Sequence, residues 1–255
     1  MHTHLLTPSA GKRLIGKATA THPAVKEVLQ GGTVVIIAGT TNGYVAEEVL
    51  GEIGQSDEFS RNRFFRGVTL PPAVATTGAG RLPDQSSFPG DVVIVNGVWH
   101  PGQTIFDVAD TLKEGDVVIK GANAVDVTRR RGAVLIGDPK GGTIALAMQA
   151  VVGRRVRLLL PVGLEKRVTT DLDEIAALMN APGGHGPRFF PVPGEVITEL
   201  DAVTMLTGAA AQLVAAGGVG GAEGSIWLAY CGTPEQEAAV QSLLDRLGKE
   251  PAFRL

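Results

Sequence analysis

Three segments of this 255-residue chain combine glycines with side chains able to hold an anion. The first is Gly39-Thr40-Thr41-Asn42-Gly43-Tyr44. Its two glycines let the backbone approach a ligand, and its hydroxyls and amide add donors. A helix starting there would add free N–H groups and a positive dipole end. No Gly-Lys-Ser/Thr follows, so the segment is not a P-loop, and an ordinary strand-to-helix turn is its competing reading. The second is Lys120-Gly121-Ala122-Asn123-Ala124-Val125-Asp126, where a lysine, an amide and a carboxylate converge; its competitor is a solvated turn holding a salt bridge. The third is Gly137-Asp138-Pro139-Lys140-Gly141-Gly142-Thr143, whose glycines, lysine and hydroxyl suit a phosphate or carboxylate at a helix start. Asp138 could orient Lys140, accept a proton, or simply close the loop. The expected ligand contacts are Gly39, Thr40, Thr41, Asn42, Gly43, Asn123, Lys140, Gly141, Gly142 and Thr143. The residues expected at a reacting end are Lys120, Asp126 and Asp138.

Other side chains offer less. His22, His100 and His185 are scattered with no ligand partner at metal-binding spacing, and His2 and His4 sit at a terminus, so neither a metal nor any other cofactor is expected. Cys231 ends an apolar run and reads as a packed core residue rather than a nucleophile. Arg129-Arg130-Arg131 reads as a solvated turn, with neutralisation of phosphates as its alternative, and Arg154-Arg155 reads as surface.

Positioning such residues requires a scaffold, and the apolar pattern supplies one. Thr33–Ala38, Asp91–Gly97, Asp116–Lys120, Ala133–Ile136 and Val156–Pro161 are short, β-branched and apolar, as strands buried on both faces must be. Helical periodicity falls on Ser9–Ala20, Pro23–Leu29, Tyr44–Leu50, Phe106–Lys113, Thr143–Val152 and Thr170–Asn180. Gly54–Ser60 and Thr76–Pro89 read as loops. Alternating strands and helices predict an α/β fold, a mostly parallel sheet sandwiched by helices, over residues 1–182. In such sheets ligands bind beyond the carboxyl ends of strands, where the three segments fall. Gly90-Asp-Val-Val-Ile echoes Gly115-Asp-Val-Val-Ile, as two successive buried strands would.

Ala181-Pro-Gly-Gly-His-Gly-Pro187 reads as a linker. Beyond it come strand Phe189–Val192, helix Glu195–Leu206, strands Gln212–Ala216 and Ser225–Tyr230, helix Thr233–Leu247 and strand Pro251–Leu255. That βαββαβ order predicts a ferredoxin-like α+β module over 188–255.

Composition bounds the rest. Hydrophobic residues make up 44%, charged residues 19%, and 34 glycines show no Gly-X-Y period, which excludes disordered and collagen-like classes. Apolar runs such as Val34–Ile37 fall far short of the ~20 residues of a membrane helix. A net charge of −3 argues against a dedicated nucleic-acid binder. One cysteine permits no internal disulfide, and with no secretory signal layout a cytoplasmic location is expected.

Taken in order, the three segments resemble a superfamily that groups ribose-5-phosphate isomerase, glucosamine-6-phosphate deaminase, the CoA transferases and the initiation factor 2B-like proteins. Gly39–Tyr44 looks like its Gly/Ser/Thr-rich turn, and Gly121-Ala122-Asn123 matches its Gly-Ala-Asp turn. Lys140-Gly141-Gly142-Thr143 followed by Ile144-Ala145-Leu146-Ala147 is similar to the Lys-x-Gly-Thr turn of the initiation factor 2B-like branch. Leu158-Leu159-Leu160-Pro161 and Lys166 are similar to its strand ending in proline before a lysine. The resemblance spans roughly 33–166. It implies a phosphorylated sugar- or nucleotide-like, or CoA-linked, small-molecule ligand, isomerase- or transferase-like chemistry, and a homo-oligomer. Two departures bear on the chemistry. Where the isomerases shuttle a proton with acidic residues, this chain has Lys120 and Asn123, and an amide is no general base. The transferases' nucleophilic glutamate has one Gly-rich candidate, Glu223, in a segment that reads better as a hairpin turn. A non-catalytic metabolite sensor, or a regulatory or structural subunit, is therefore the alternative expectation.

Overall fold

The computed structural model describes residues 1–67, 69–71, 73–75 and 88–253. The chain starts with β1 (His2–Leu6), α1 (Pro8–Thr21) and α2 (Pro23–Gln30). Each helix has proline in its first turn, where no N–H is needed. The Thr7 hydroxyl caps α1, and the His22 ring nitrogen accepts from the Ala24 N–H to cap α2. Then follow β2 (Thr33–Ile36), α3 (Thr40–Glu52), a 3-10 turn at Arg61–Arg63, β3 (Val92–Val95), β4 (Val98–Trp99), the short α4 (Ile105–Val108) and β5 (Val117–Ile119). The hairpin β6 (Ala124–Asp126) and β7 (Arg131–Ile136) leads into α5 (Gly142–Arg154), β8 (Arg157–Pro161) and α6 (Leu172–Met179). The last third holds β9 (Arg188–Val192), β10 (Glu195–Ile197), α7 (Glu199–Thr207), β11 (Ala210–Ala216), β12 (Ile226–Cys231) and α8 (Pro234–Leu247).

The central sheet has the order β10-β8-β5-β2-β3-β4. β10, β8, β5 and β2 run parallel, and β3 and β4 close the edge antiparallel, so the sheet is mixed. Its strands alternate between two cores, as the period-2 geometry of a strand demands. Val34 and Ile36 pack toward α1, α2 and α3, whereas Val35 and Ile37 pack toward α4 and α5. Helices thus flank both faces.

The repeated Gly-Asp-Val-Val-Ile has a physical explanation in this sheet. β3 and β5 are the two neighbours of β2, one antiparallel and one parallel. The aspartates that precede them therefore reach opposite ends of β2. Asp116 accepts the Thr33 N–H at 2.7 Å, and Asp91 accepts the Ala38 N–H at 2.9 Å and the Ile105 N–H at 2.8 Å.

Beyond the Gly/Pro-rich segment at 181–187 the expected ferredoxin-like module does not form, because its strands find partners elsewhere. β9 pairs with β7, β10 extends the central sheet beside β8, and β11 and β12 form a sheet with β1. The helix expected over Glu195–Leu206 begins only at Glu199: Thr198 and Asp201 make a capping box that fixes its start, which leaves Glu195–Ile197 free to pair. β1 adds a strand to which the sequence pattern assigns no element; its Leu6 is wholly buried against β12 and α8. Pro251–Phe253 form no strand, and the last two residues of that expectation lie outside the described residues, as do 76–87 of the expected loop. Among the described residues, no helix is long and apolar enough to cross a membrane.

Candidate functional site

The carboxyl ends of the parallel strands β2, β5 and β8 open into one cavity of about 320 Å³. All three segments singled out from the sequence reach it. Gly39, Thr40 and Thr41 come from the β2–α3 turn, Lys120 to Asn123 from the end of β5, and Gly137, Asp138 and Gly141 to Thr143 from the start of α5. Arg66, Thr69, Phe106 and Lys166 add to the polar and aromatic lining, and Val134, Ile136 and Ile144 supply apolar wall.

Positive charge dominates. Lys120 follows β5 directly, with its N–H donated to Leu159 O at 3.0 Å, and its side chain makes no hydrogen bond or ion pair with the described residues. Desolvation in this pocket pulls its ammonium down to about 8; Asp91 opposes the shift, and Arg66 and Lys166 add to it. Lys166 donates to Ala122 O at 2.9 Å and is also lowered, chiefly by desolvation. Arg66 is ion-paired with Asp91, and its guanidinium lies 4.9 Å from the Phe88 ring centroid and 5.9 Å from that of Phe106. Asp91 is only 1% exposed, so this pair is fixed as well as charged.

Two helix N-termini reach the cavity, those of α3 and α5, and each leaves backbone N–H groups unpaired in its first turn. Within α3, Thr41 lines the cavity, and its buried hydroxyl has no hydrogen-bond partner among the described residues. At α5, Gly141 and Gly142 have φ of +83° and +58°, in the left-handed region that favours glycine. Asp138 shapes this turn by accepting the Lys140 N–H at 2.7 Å, while its backbone carbonyl accepts the Gly141 N–H at 2.9 Å.

Four expected site residues fall outside the lining. Asn42 is fully buried and donates its amide to Ile37 O and Ile119 O, at 2.7 and 3.0 Å; it ties the ends of β2 and β5 together. Gly43 packs against Arg61, where an added Cβ would stand 2.8 Å from the arginine Cβ. Lys140 is exposed and contributes its backbone to the turn, not its ammonium to the cavity. Asp126 accepts from the Arg129 N–H and guanidinium, both at 2.9 Å, within the β6–β7 turn; these bonds hold its carboxyl below the usual range. Asn123 lines the cavity but uses Oδ1 to accept the Leu135 N–H at 3.0 Å. Sequence reasoning missed Arg66, which belongs to no periodic element or motif, and Phe106, which it read only as part of a helix.

The remaining candidates are structural. Glu223 accepts the Gly221 N–H within its turn. Cys231 is exposed at the end of β12, not packed in the core. Arg129, Arg130 and Arg131 pair with Asp126, Asp201 and Asp173, and Arg154 donates to the carbonyls of Leu112 and Ala109. Among the described residues, no group of three or more His, Cys, Asp or Glu side chains could hold a metal. No protein-family model, curated protein or solved structure matches the chain.

Proposed function

We propose that the cavity binds a small phosphorylated, sugar- or nucleotide-like metabolite. The observation that carries this reading is the convergence on one cavity of two desolvated lysines, a fixed arginine and two helix N-termini. An anion placed there would exchange water for charge-assisted hydrogen bonds and favourable dipole ends. Phe106, Val134, Ile136 and Ile144 would take the less polar part of the molecule. The resemblance to the isomerase and CoA-transferase superfamily points to the same class of ligand and to isomerase-like chemistry, with Asp138 and Lys120 as the candidate groups inside the cavity.

A sensor or regulatory subunit of the same fold is the second reading. The position of Asp126 favours it: this carboxylate is engaged by Arg129 in another turn, which leaves Asp138 as the one carboxylate of the cavity lining among the described residues. A thermal-shift screen with sugar phosphates, nucleotides and acyl-CoAs, on wild type and Lys166→Ala, tests the common element of both. A ligand at 100 times its Kd adds about 2.7 kcal/mol, which raises Tm by several degrees. A shift lost in the variant supports anion binding at this cavity, and turnover of the hit then separates enzyme from sensor. Absence of any shift across the phosphate and CoA compounds would overturn the reading.

A further inference from the structure

Lys120 has a poor design for a mere counter-ion. It leaves β5, the strand between β2 and β8, so its backbone is fixed from both sides. Its side chain lines the cavity with no hydrogen-bonding or ion-pairing partner among the described residues. The carboxylate whose charge acts on it, Asp91, is already engaged by Arg66 and by the N–H groups of Ala38 and Ile105. Arg66 and Lys166 supply positive charge to the same space. A lysine crowded by cations and lacking a carboxylate partner is the setting in which an amine, rather than an ammonium, is available as a nucleophile.

We propose that the Lys120 amine forms an imine with a small aldehyde or ketone that carries a phosphate or carboxylate, the anionic group resting against Lys166, Arg66 and the N-terminus of α5. This rests on the cavity being the anion site. In the addition step the Nζ lone pair attacks the carbonyl carbon, the C–N bond forms, and a proton moves from nitrogen to oxygen to give a carbinolamine. In the second step the C–O bond breaks, the oxygen leaves as water with the second amine hydrogen, and the C=N bond remains. No oxidant or co-reactant is needed. Protonation of the imine nitrogen makes the adjacent carbon an electron sink, so a neighbouring C–H is acidified, and Asp138, the carboxylate that lines the cavity among the described residues, would take that proton. The depressed proton affinity of Lys120, about 8, puts a useful fraction of free amine at neutral pH.

The experiment traps the imine on the full chain. Protein is incubated separately with dihydroxyacetone phosphate and with pyruvate, each with cyanoborohydride, and the labelled lysine is located by peptide mass mapping. The expected result is one saturable adduct on Lys120 with at least one probe, and the probe that labels identifies the preferred anion. Lys166→Ala should cut labelling at sub-saturating probe by about tenfold, the scale of one charge-assisted hydrogen bond. The wild-type map decides even if a variant fails to fold. Labelling spread over exposed lysines such as Lys26, or none, overturns the imine. Inorganic phosphate binding, followed in parallel by thermal shift, separates the two failures. Phosphate bound without a Lys120 adduct removes the imine and leaves the anion site; neither phosphate binding nor adduct removes both.

Discussion

Single side chains in this cavity differ in what they do according to whether they face it, and two predictions follow at that scale. Lys120 is charged below about pH 8 and loses its proton above it, because burial disfavours the ammonium and Arg66 and Lys166 add repulsion against the opposing pull of Asp91. A bound anion restores the charge, so anion affinity and proton uptake are linked. Sulfate, which does not itself titrate there, should bind most tightly below pH 8, and its affinity should fall by up to about tenfold per pH unit above that. Calorimetry between pH 7 and 9.5 measures this, and Lys120→Gln should flatten the fall; a wild-type affinity independent of pH would show that Lys120 does not face the anion. Lys140 makes the opposite case. The sequence offers it as an anion contact, since it precedes two glycines at a helix start. Its side chain is exposed, however, and only its N–H is used, by Asp138. Lys140→Ala should change sulfate affinity by no more than about 0.5 kcal/mol, as a surface substitution does. A tenfold loss by the same titration would return the ammonium to the site.

Between elements, the decisive contacts are the aspartates at the heads of β3 and β5. The repeated Gly-Asp-Val-Val-Ile was visible in the sequence, and so was the burial of its Val-Val-Ile. The work of the aspartates was not, because it depends on β3 running antiparallel and β5 parallel to β2, a pairing that local pattern does not encode. The same limit hid Arg66. It lies in an irregular stretch with no period to interpret, and its place in the cavity follows from Asp91, 25 residues later. The strand-to-helix turns were legible because glycines and hydroxyls at strand ends have local causes. Asp91→Ala should therefore be costly: it removes the acceptor of the Ala38 and Ile105 N–H groups and leaves the Arg66 guanidinium without its ion-pair partner. Breaking such a buried pair costs about 3–5 kcal/mol. Urea denaturation would register that as a lower midpoint at unchanged slope. A loss of a few tenths of a kcal/mol would mean that β2 and Arg66 are held by other contacts.

At the scale of the whole molecule, α1 and the last third of the chain are packed together, which the local βαββαβ order concealed. β1 completes the sheet of β11 and β12, and α7 lies against α1. At that junction Glu199, 2% exposed, accepts the Leu164 N–H at 2.9 Å, and an added Cβ on Gly11 of α1 would stand 2.6 Å from its Oε1. Lys12 faces the same space and is ion-paired with Glu165 at 3.0 Å; Lys166 is close enough to feel both glutamates. Burial first, and the charge of Glu165 second, push the Glu199 carboxyl up to about 8, against the weaker opposing effects of its backbone hydrogen bonds and Lys12. The folded chain therefore holds a proton that the unfolded chain releases above its ordinary value near 4.5. The stabilisation this gives is complete below that value and is lost as pH rises toward 8. Urea midpoints taken between pH 5 and 8 should fall with pH in the wild type and fall less in Glu199→Gln, whose amide keeps the shape without the titration. Lys120 stays protonated in both states over most of this range and does not mask the difference. Parallel pH profiles for the two chains would mean that Glu199 is ionised in the fold and that Lys12 compensates it, so that the joint between α1 and α7 is an ion-pair network rather than a shared proton.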